Sequence, residues 1–151
     1  MKQVYLISDG ACIGNPGPGG WACILRYAKN KKELFGCEGR STNNRMELRA
    51  VIEGLKALKE SCSVTVITDS QYVRNGITEW LPQWKAHGWR KRKKGDSGTR
   101  EILNQDLWQE LDAATAGHDI TWEWVKGHAG HEDNMRCDRL ALMAAETQRP
   151  R

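Results

Sequence analysis

Residues 46–69 read MELRAVIEGLKALKESCSVTVITD, and the change of period inside this stretch decides the architecture. From Met46, apolar residues recur at Leu48, Val51, Ile52, Leu55 and Leu58, with Glu53, Lys56 and Lys59 between them. That spacing is an amphipathic helix. Ser63 to Thr68 then turns β-branched and ends at Asp69, a short buried strand. Working outward, Val4-Tyr5-Leu6-Ile7-Ser8 is an earlier strand that ends at Asp9-Gly10, and strand, helix, strand in this order favours a parallel crossover. Between them, Trp21 to Tyr27 and Glu33 to Gly39 read as two strands joined by the polar turn Lys29-Asn30-Lys31, which with the first makes an antiparallel meander. Gly14 to Gly20, rich in glycine and proline, reads as a loop.

Downstream, Ser70 to about Gly76 and Glu79 to about Ala86 read as short helices, about Arg100 to Ala116 as a longer one, Ile120 to Val125 as a last strand, and residues 133–146 as a final helix. The expected fold class is therefore α/β: a five-stranded mixed sheet, three antiparallel strands and then two parallel ones, flanked by helices in one domain over residues 1–151. With 39% hydrophobic and 28% charged residues the composition is that of an ordinary globule and excludes a disordered or fibrous chain. No apolar run approaches the ~20 residues of a membrane span, and Met1-Lys2-Gln3 leads straight into a strand, so neither membrane association nor a signal peptide is expected. Five cysteines, an odd number without a CxxC pair, argue against a disulfide framework or a structural zinc and point to a reducing cytoplasm.

Charge is unevenly spread. Residues 85–100 carry seven Lys and Arg against the single Asp96, a net +6 within a chain of +4, so the rest of the molecule is slightly acidic. Such a segment is either a solvated loop or a surface for a polyanion.

Four acids stand at positions that matter. Asp9 and Asp69 end the first and fourth strands; if these are parallel neighbours, both carboxylates emerge at the sheet edge where open α/β folds put their ligands. Glu47 lies in the first turn of the helix that follows, where Asn44 as N-cap would place it in a capping box, and Asp138 lies on the last helix. Each has an ordinary structural role available: a turn at Asp9-Gly10, a helix cap at Asp69-Ser70, a wet helix face for Asp138. Gathered together they do not, because unit charges ~4 Å apart repel by ~4 kcal/mol at an effective dielectric of about 20. A fold that collects them needs a cation between them, and oxygen-only ligands suit Mg²⁺, with Mn²⁺ as a substitute. Two such ions ~4 Å apart can clamp the attacking and leaving oxygens of an in-line phosphoryl displacement.

Four segments then form a pattern: Asp9-Gly-Ala-Cys-Ile-Gly-Asn-Pro-Gly-Pro-Gly-Gly20, Thr42-Asn-Asn-Arg-Met-Glu47, Thr68-Asp-Ser-Gln-Tyr-Val73, and Trp124-Val-Lys-Gly-His-Ala-Gly-His131 with Cys137-Asp138. In this order, over about residues 3–146, the chain resembles bacterial ribonuclease H of type 1. The resemblance implies a ribonuclease H-like fold and an endonuclease that hydrolyses the RNA strand of RNA–DNA hybrids, leaving 5′-phosphate and 3′-hydroxyl ends. It implies that Asp9, Glu47, Asp69 and Asp138 hold the divalent metals and that His128, on the loop before the last helix, assists proton transfer or product release. An imidazole titrates near neutrality, which suits that task; His87, His118 and His131 read as ordinary loop histidines.

Residues matching Gly10, Cys12, Asn15, Asn43, Asn44 and Gln71 line the family's substrate groove. Asn and Gln both donate and accept, as does the 2′-hydroxyl that distinguishes RNA from DNA. Asn15 also suits a turn, Asn43 or Asn44 a helix cap, and Cys12 a small buried thiol. The basic segment resembles the family's protrusion at about residues 80–100, which grips the DNA strand. Its candidates are Lys85, Lys91, Arg92, Lys93 and Lys94, with Trp80, Trp84 and Trp89 either stacking on sugars or packing the protrusion onto the body. The stretch from Arg90 to Arg100 is longer and more basic than the family's usual form. The expected partner is an RNA–DNA hybrid met by a monomer, with no obligate protein partner. A DNA nuclease of the same fold, integrase- or resolvase-like, and a hybrid-binding module without turnover are the alternatives.

Overall fold

The computed structural model of the chain describes residues 1–89, 91–92, 99–100, 102–126 and 131–149, with 91–92 and 99–100 described by their backbone alone. Strands β1 (Lys2–Cys12), β2 (Gly17–Tyr27) and β3 (Asn30–Ser41) form the meander. Helix α1 (Asn43–Lys56) crosses over to β4 (Cys62–Thr68). Helix α2 (Gln71–Asn75), a π turn over Gly76–Trp80 and α3 (Leu81–Ala86) then run on as one helical excursion. The two-residue strands β5 (Lys91–Arg92) and β6 (Thr99–Arg100) pair as a small antiparallel ribbon, and α4 (Gln105–Thr115), β7 (Asp119–Trp124) and α5 (Glu132–Glu146) complete the described chain. The main sheet has the order β3-β2-β1-β4-β7, antiparallel across the first three strands and parallel from β1 to β4 to β7, which is the expected fold class.

Alternation along the strands sorts side chains onto two layers. Val4, Leu6, Cys23, Leu25, Val64 and Val66 face α1 and α4 and pack with Val51, Ile52, Leu55, Leu107, Trp108 and Leu111. Ile7, Ala11, Ala22, Ile24 and Ile67 face α5 and pack with Cys137, Leu140 and Ala141.

Several local expectations are corrected. Gly17 to Gly20 belong to β2, pairing Gly19 with Cys12 and Gly20 with Ala11. A side chain on Gly20 would collide with the Ala141 carbonyl, so the glycine lets α5 lie directly on the sheet. The β2–β3 turn is tighter than Lys29-Asn30-Lys31: Asn30 already pairs with Tyr27, and Ala28 takes φ 52°. The N-cap of α1 is Thr42, extended at φ −132°, whose hydroxyl accepts the Arg45 N–H, so Asn44 caps nothing and Glu47 lies beyond the capping-box position. Helix α4 begins at Gln105 rather than near Arg100, because Arg100 pairs in the ribbon and Asn104 turns left-handed at φ 60°.

Candidate active site at the edge of the parallel strands

Strands β1 and β4 run side by side in a register that pairs Ile7 with Ile67. Two residues further along each chain stand Asp9, still within β1, and Asp69, just beyond β4. The parallel register therefore places both acids at one edge. Glu47 arrives from above the sheet on α1, and it can do so because residue 10 is glycine: a Cβ there would lie 2.5 Å from both Glu47 N and the Met46 carbonyl carbon. The Gly10 N–H is shared by two carboxylates, at 3.0 Å from Glu47 Oε1 and 2.9 Å from Asp9 Oδ1.

Asp9, Glu47 and Asp69 each offer an oxygen within 4.8 Å of the others, the one such group of potential metal ligands among the described residues. Asp138, on the opposite layer, lines the same hollow. Asp9 and Glu47 are buried, and Glu47 Oε2 is enclosed without a hydrogen-bond donor. Burial above all, then the neighbouring Asp9 and Asp69 charges, holds the Glu47 carboxyl well above its ordinary range, opposed by the Gly10 N–H. The donor set is hard oxygen throughout. The thiols of this region are engaged with backbone carbonyls: Cys12 with Gly17 and Ser41 at 3.5 and 3.4 Å, and Cys137 with Ile7 at 3.4 Å. Such a set fits Mg²⁺ or Mn²⁺ and offers nothing to a soft metal.

Around the acids, Asn43, Asn44 and Gln71 line the hollow with Gly10. Asn15 stands behind them, its Oδ1 accepting the Asn43 N–H at 3.0 Å and so fixing the first turn of α1. Gln71 opens α2 after Ser70, whose hydroxyl caps that helix, and its amide reaches Asn75 at 3.0 Å. Cys12 is half-buried at the end of β1.

Sequence reading passed over Tyr72, which also lines the hollow and whose hydroxyl accepts from Asn104 Nδ2 at 3.0 Å and Trp108 Nε1 at 3.1 Å. The same Asn104 accepts from Arg45, whose guanidinium forks onto Asp106 at 3.0 and 2.8 Å. These links tie α1, α2 and α4 together; the signal available was only that Tyr72 follows Gln71 inside one of the four quoted segments.

The indoles form a continuous stack. Ring centroids lie 6.0 Å apart for Trp80 and Trp84, 5.7 Å for Trp84 and Trp108, and 6.3 Å for Trp84 and Trp89. Trp80, Trp84 and Trp89 thus pack the excursion onto the body. Lys85 Nζ meets Asp112 at 3.1 Å. Lys91 and Arg92 stand in the ribbon, while His128, Lys93 and Lys94 lie outside the described residues. No helix among the described residues is long and apolar enough to cross a membrane.

Comparison with known proteins agrees with this geometry. The chain is 57% identical over 148 residues to a ribonuclease H of Solibacter usitatus, covering 98% of each. It is 56% identical over 144 residues to ribonuclease HI of Neisseria meningitidis serogroup B, covering 95% of this chain and 96% of the other. The structure of LC9-RNase H1, described as a type 1 RNase H with the type 2 active-site motif, superposes with a TM-score of 0.84 at 37% identity, over 99% of this chain and 74% of that one. Residues 1–146 match RNase H as a family, and with the acids gathered at the sheet edge the conclusion is direct: the chain belongs to the ribonuclease H family.

Proposed function

We propose that this protein is a divalent-metal-dependent endonuclease that cuts the RNA strand of RNA–DNA hybrids, leaving 5′-phosphate and 3′-hydroxyl ends. The observation that carries the reading is the meeting of Asp9, Glu47 and Asp69 within 4.8 Å, two of them buried, in a family of ribonucleases H. These three, with Asp138, would hold Mg²⁺ or, in its place, Mn²⁺. A bound divalent ion supplies Lewis acidity toward the scissile phosphate and makes water at the site easier to deprotonate.

The chain's own groups do the rest. The Gly10 N–H, shared between Asp9 and Glu47, holds the two carboxylates in fixed orientation. Asn43, Asn44 and Gln71 present amides to the RNA strand, where a 2′-hydroxyl can both donate and accept. Gly10 lines the hollow beside them, Cys12 at the end of β1 would extend the groove, and Asn15 sets the turn that presents Asn43. His128 would exchange a proton with the reacting oxygens or the leaving group through its ring nitrogens. Lys85, Lys91, Arg92, Lys93 and Lys94 would neutralise phosphates of the DNA strand without reading bases, on a protrusion stiffened by Trp80, Trp84 and Trp89. We further place the enzyme in the cytoplasm as a monomer, in keeping with its five free cysteines.

The test is cleavage of matched RNA–DNA, DNA–DNA and RNA–RNA duplexes with Mg²⁺ and with EDTA, alongside Asp69→Asn. The expected result is RNA-strand cleavage in the hybrid alone, abolished by EDTA and lowered by more than about 100-fold in Asp69→Asn. Hybrid binding by Asp69→Asn should stay within about threefold of wild type, since phosphate contacts dominate affinity. Cleavage of duplex DNA, or binding without turnover, overturns the proposal in favour of a different nuclease or a binding module.

A further inference from the structure

Helix α5 carries Asp138 to the site, and its apolar packing on the sheet begins only at Cys137. On the sheet Ile7, Ala11, Ala22, Ile24 and Ile67 pack with Cys137, Leu140 and Ala141 on the helix, and Gly20 lies under the Ala141 carbonyl. Of the first turn, Glu132 to Met135, no residue belongs to this cluster, so apolar contact leaves that turn unheld. Nor is the helix start held by a cap: His131 occupies the N-cap position and its side chain makes no capping hydrogen bond.

What grips the first turn is a charge pair. Asp133, at the second helical position, is buried, and both its oxygens accept from Arg26 on β2, Oδ2 from Nε at 2.5 Å and Oδ1 from Nη2 at 2.9 Å. One turn on, Arg136 makes a second fork, to Glu33 on β3, at 2.8 and 3.2 Å. Fork-shaped pairs of this kind set geometry as well as energy, because two parallel bonds fix both distance and orientation. Asp138 follows Asp133 by five residues, about 7.5 Å along the helix axis, so a shift at the fork passes undiminished to the site.

We infer that Arg26 is a positioning residue: through Asp133 it sets the axial register of α5 and hence the reach of Asp138 toward the Asp9–Glu47–Asp69 cluster. Arg26 does not line the hollow that holds the acids. The inference rests on the reading of these acids as metal ligands, and the experiment separates the two.

Mn²⁺ binding to the full chain is measured by calorimetry without nucleic acid, and cleavage kinetics in parallel, for wild type, Asp69→Asn, Arg26→Gln, Arg26→Lys and the double variant Arg26→Gln/Asp133→Asn. A residue supporting metal ligands from behind is expected to matter about tenfold. Arg26→Gln should therefore weaken Mn²⁺ binding and lower kcat by about tenfold, with KM for the hybrid within about twofold of wild type. Arg26→Lys, keeping the charge but losing the fork, should recover part of both. The double variant leaves no buried charge unpaired and should regain the melting temperature of wild type without regaining Mn²⁺ affinity. A double variant that regains both shows the pair to be merely structural and overturns the inference. So does an Arg26→Gln that binds Mn²⁺ like a wild type whose binding depends on Asp69. Absence of Asp69-dependent Mn²⁺ binding in wild type instead overturns the metal reading, and this inference with it.

Discussion

Removing the Glu47 charge should stabilise the metal-free protein. In the structure the carboxylates of Asp9, Glu47 and Asp69 approach within 4.8 Å, and for two full charges at that distance with an effective dielectric of about 20 the repulsion is about 3 kcal/mol. Burial above all, then Asp9 and Asp69, raises the Glu47 pKa, so the charged form is the disfavoured one in the folded protein. The sign follows from linkage. A carboxyl whose pKa is higher folded than unfolded binds more protons in the native state, so its stability contribution is intact below the unfolded value, near 4.5, and is lost as pH climbs toward the raised folded value. Glu47→Gln retains an oxygen for the Gly10 N–H and abolishes the titration. In EDTA at pH 8 the variant should melt above wild type by about 2–6 °C, corresponding to about 1–2 kcal/mol for a chain of this size. The difference should shrink toward pH 4 and reverse when Mg²⁺ is added, since only wild type gains ligand-binding free energy. Differential scanning calorimetry across pH, with and without Mg²⁺, reads all three. A Glu47→Gln variant melting at or below wild type in EDTA at pH 8 would refute the reasoning, because the acids would then not be repelling one another.

Other perturbations probe different parts of the molecule. Gly10→Ala puts a methyl 2.5 Å from Glu47 N, forcing α1 away from β1. It should cost about 1–3 kcal/mol and displace Glu47, so that calorimetry shows a lower melting temperature and the cleavage assay a loss of turnover; an unchanged variant would mean that α1 yields freely. Replacing Lys91, Arg92, Lys93 and Lys94 together by Ser should weaken hybrid binding and lower the slope of log affinity against log salt by up to about 4. An unaltered slope in a filter-binding titration would assign the protrusion no phosphate contacts.

The alternation of β1 and the helical period after Met46 were legible because each is a local pattern backed by burial. Gly17 to Gly20 were not, since their strand conformation is imposed by α5 lying against Gly20, a contact made by residues more than a hundred positions away. Thr42 and Asn44 are both competent caps, and only the extended backbone at Thr42 decides between them. For the site, the four acids and the Asn and Gln residues could be named from their segments, but their convergence could not, because it depends on the parallel pairing of β1 with β4. Trp80 and Trp84 show the same limit: helical spacing put them on one face, and Trp108 decides that this face packs inward.

The two layers that meet at the site brace their acids by different means. Glu47 rides on α1, packed through Leu48, Val51, Ile52 and Leu55 into a core that also takes in Trp108 and Leu107 and is braced by the Arg45–Asp106 fork. Asp138 rides on α5, packed through Cys137, Leu140 and Ala141 onto Ile7, Ala11, Ala22, Ile24 and Ile67, with the Arg26–Asp133 and Arg136–Glu33 forks at its start. Glu47 is thus anchored through the core of its helix and Asp138 through the charged forks at the start of its own, so a variant at the forks should act on Asp138 and leave Asp9, Glu47 and Asp69 in place.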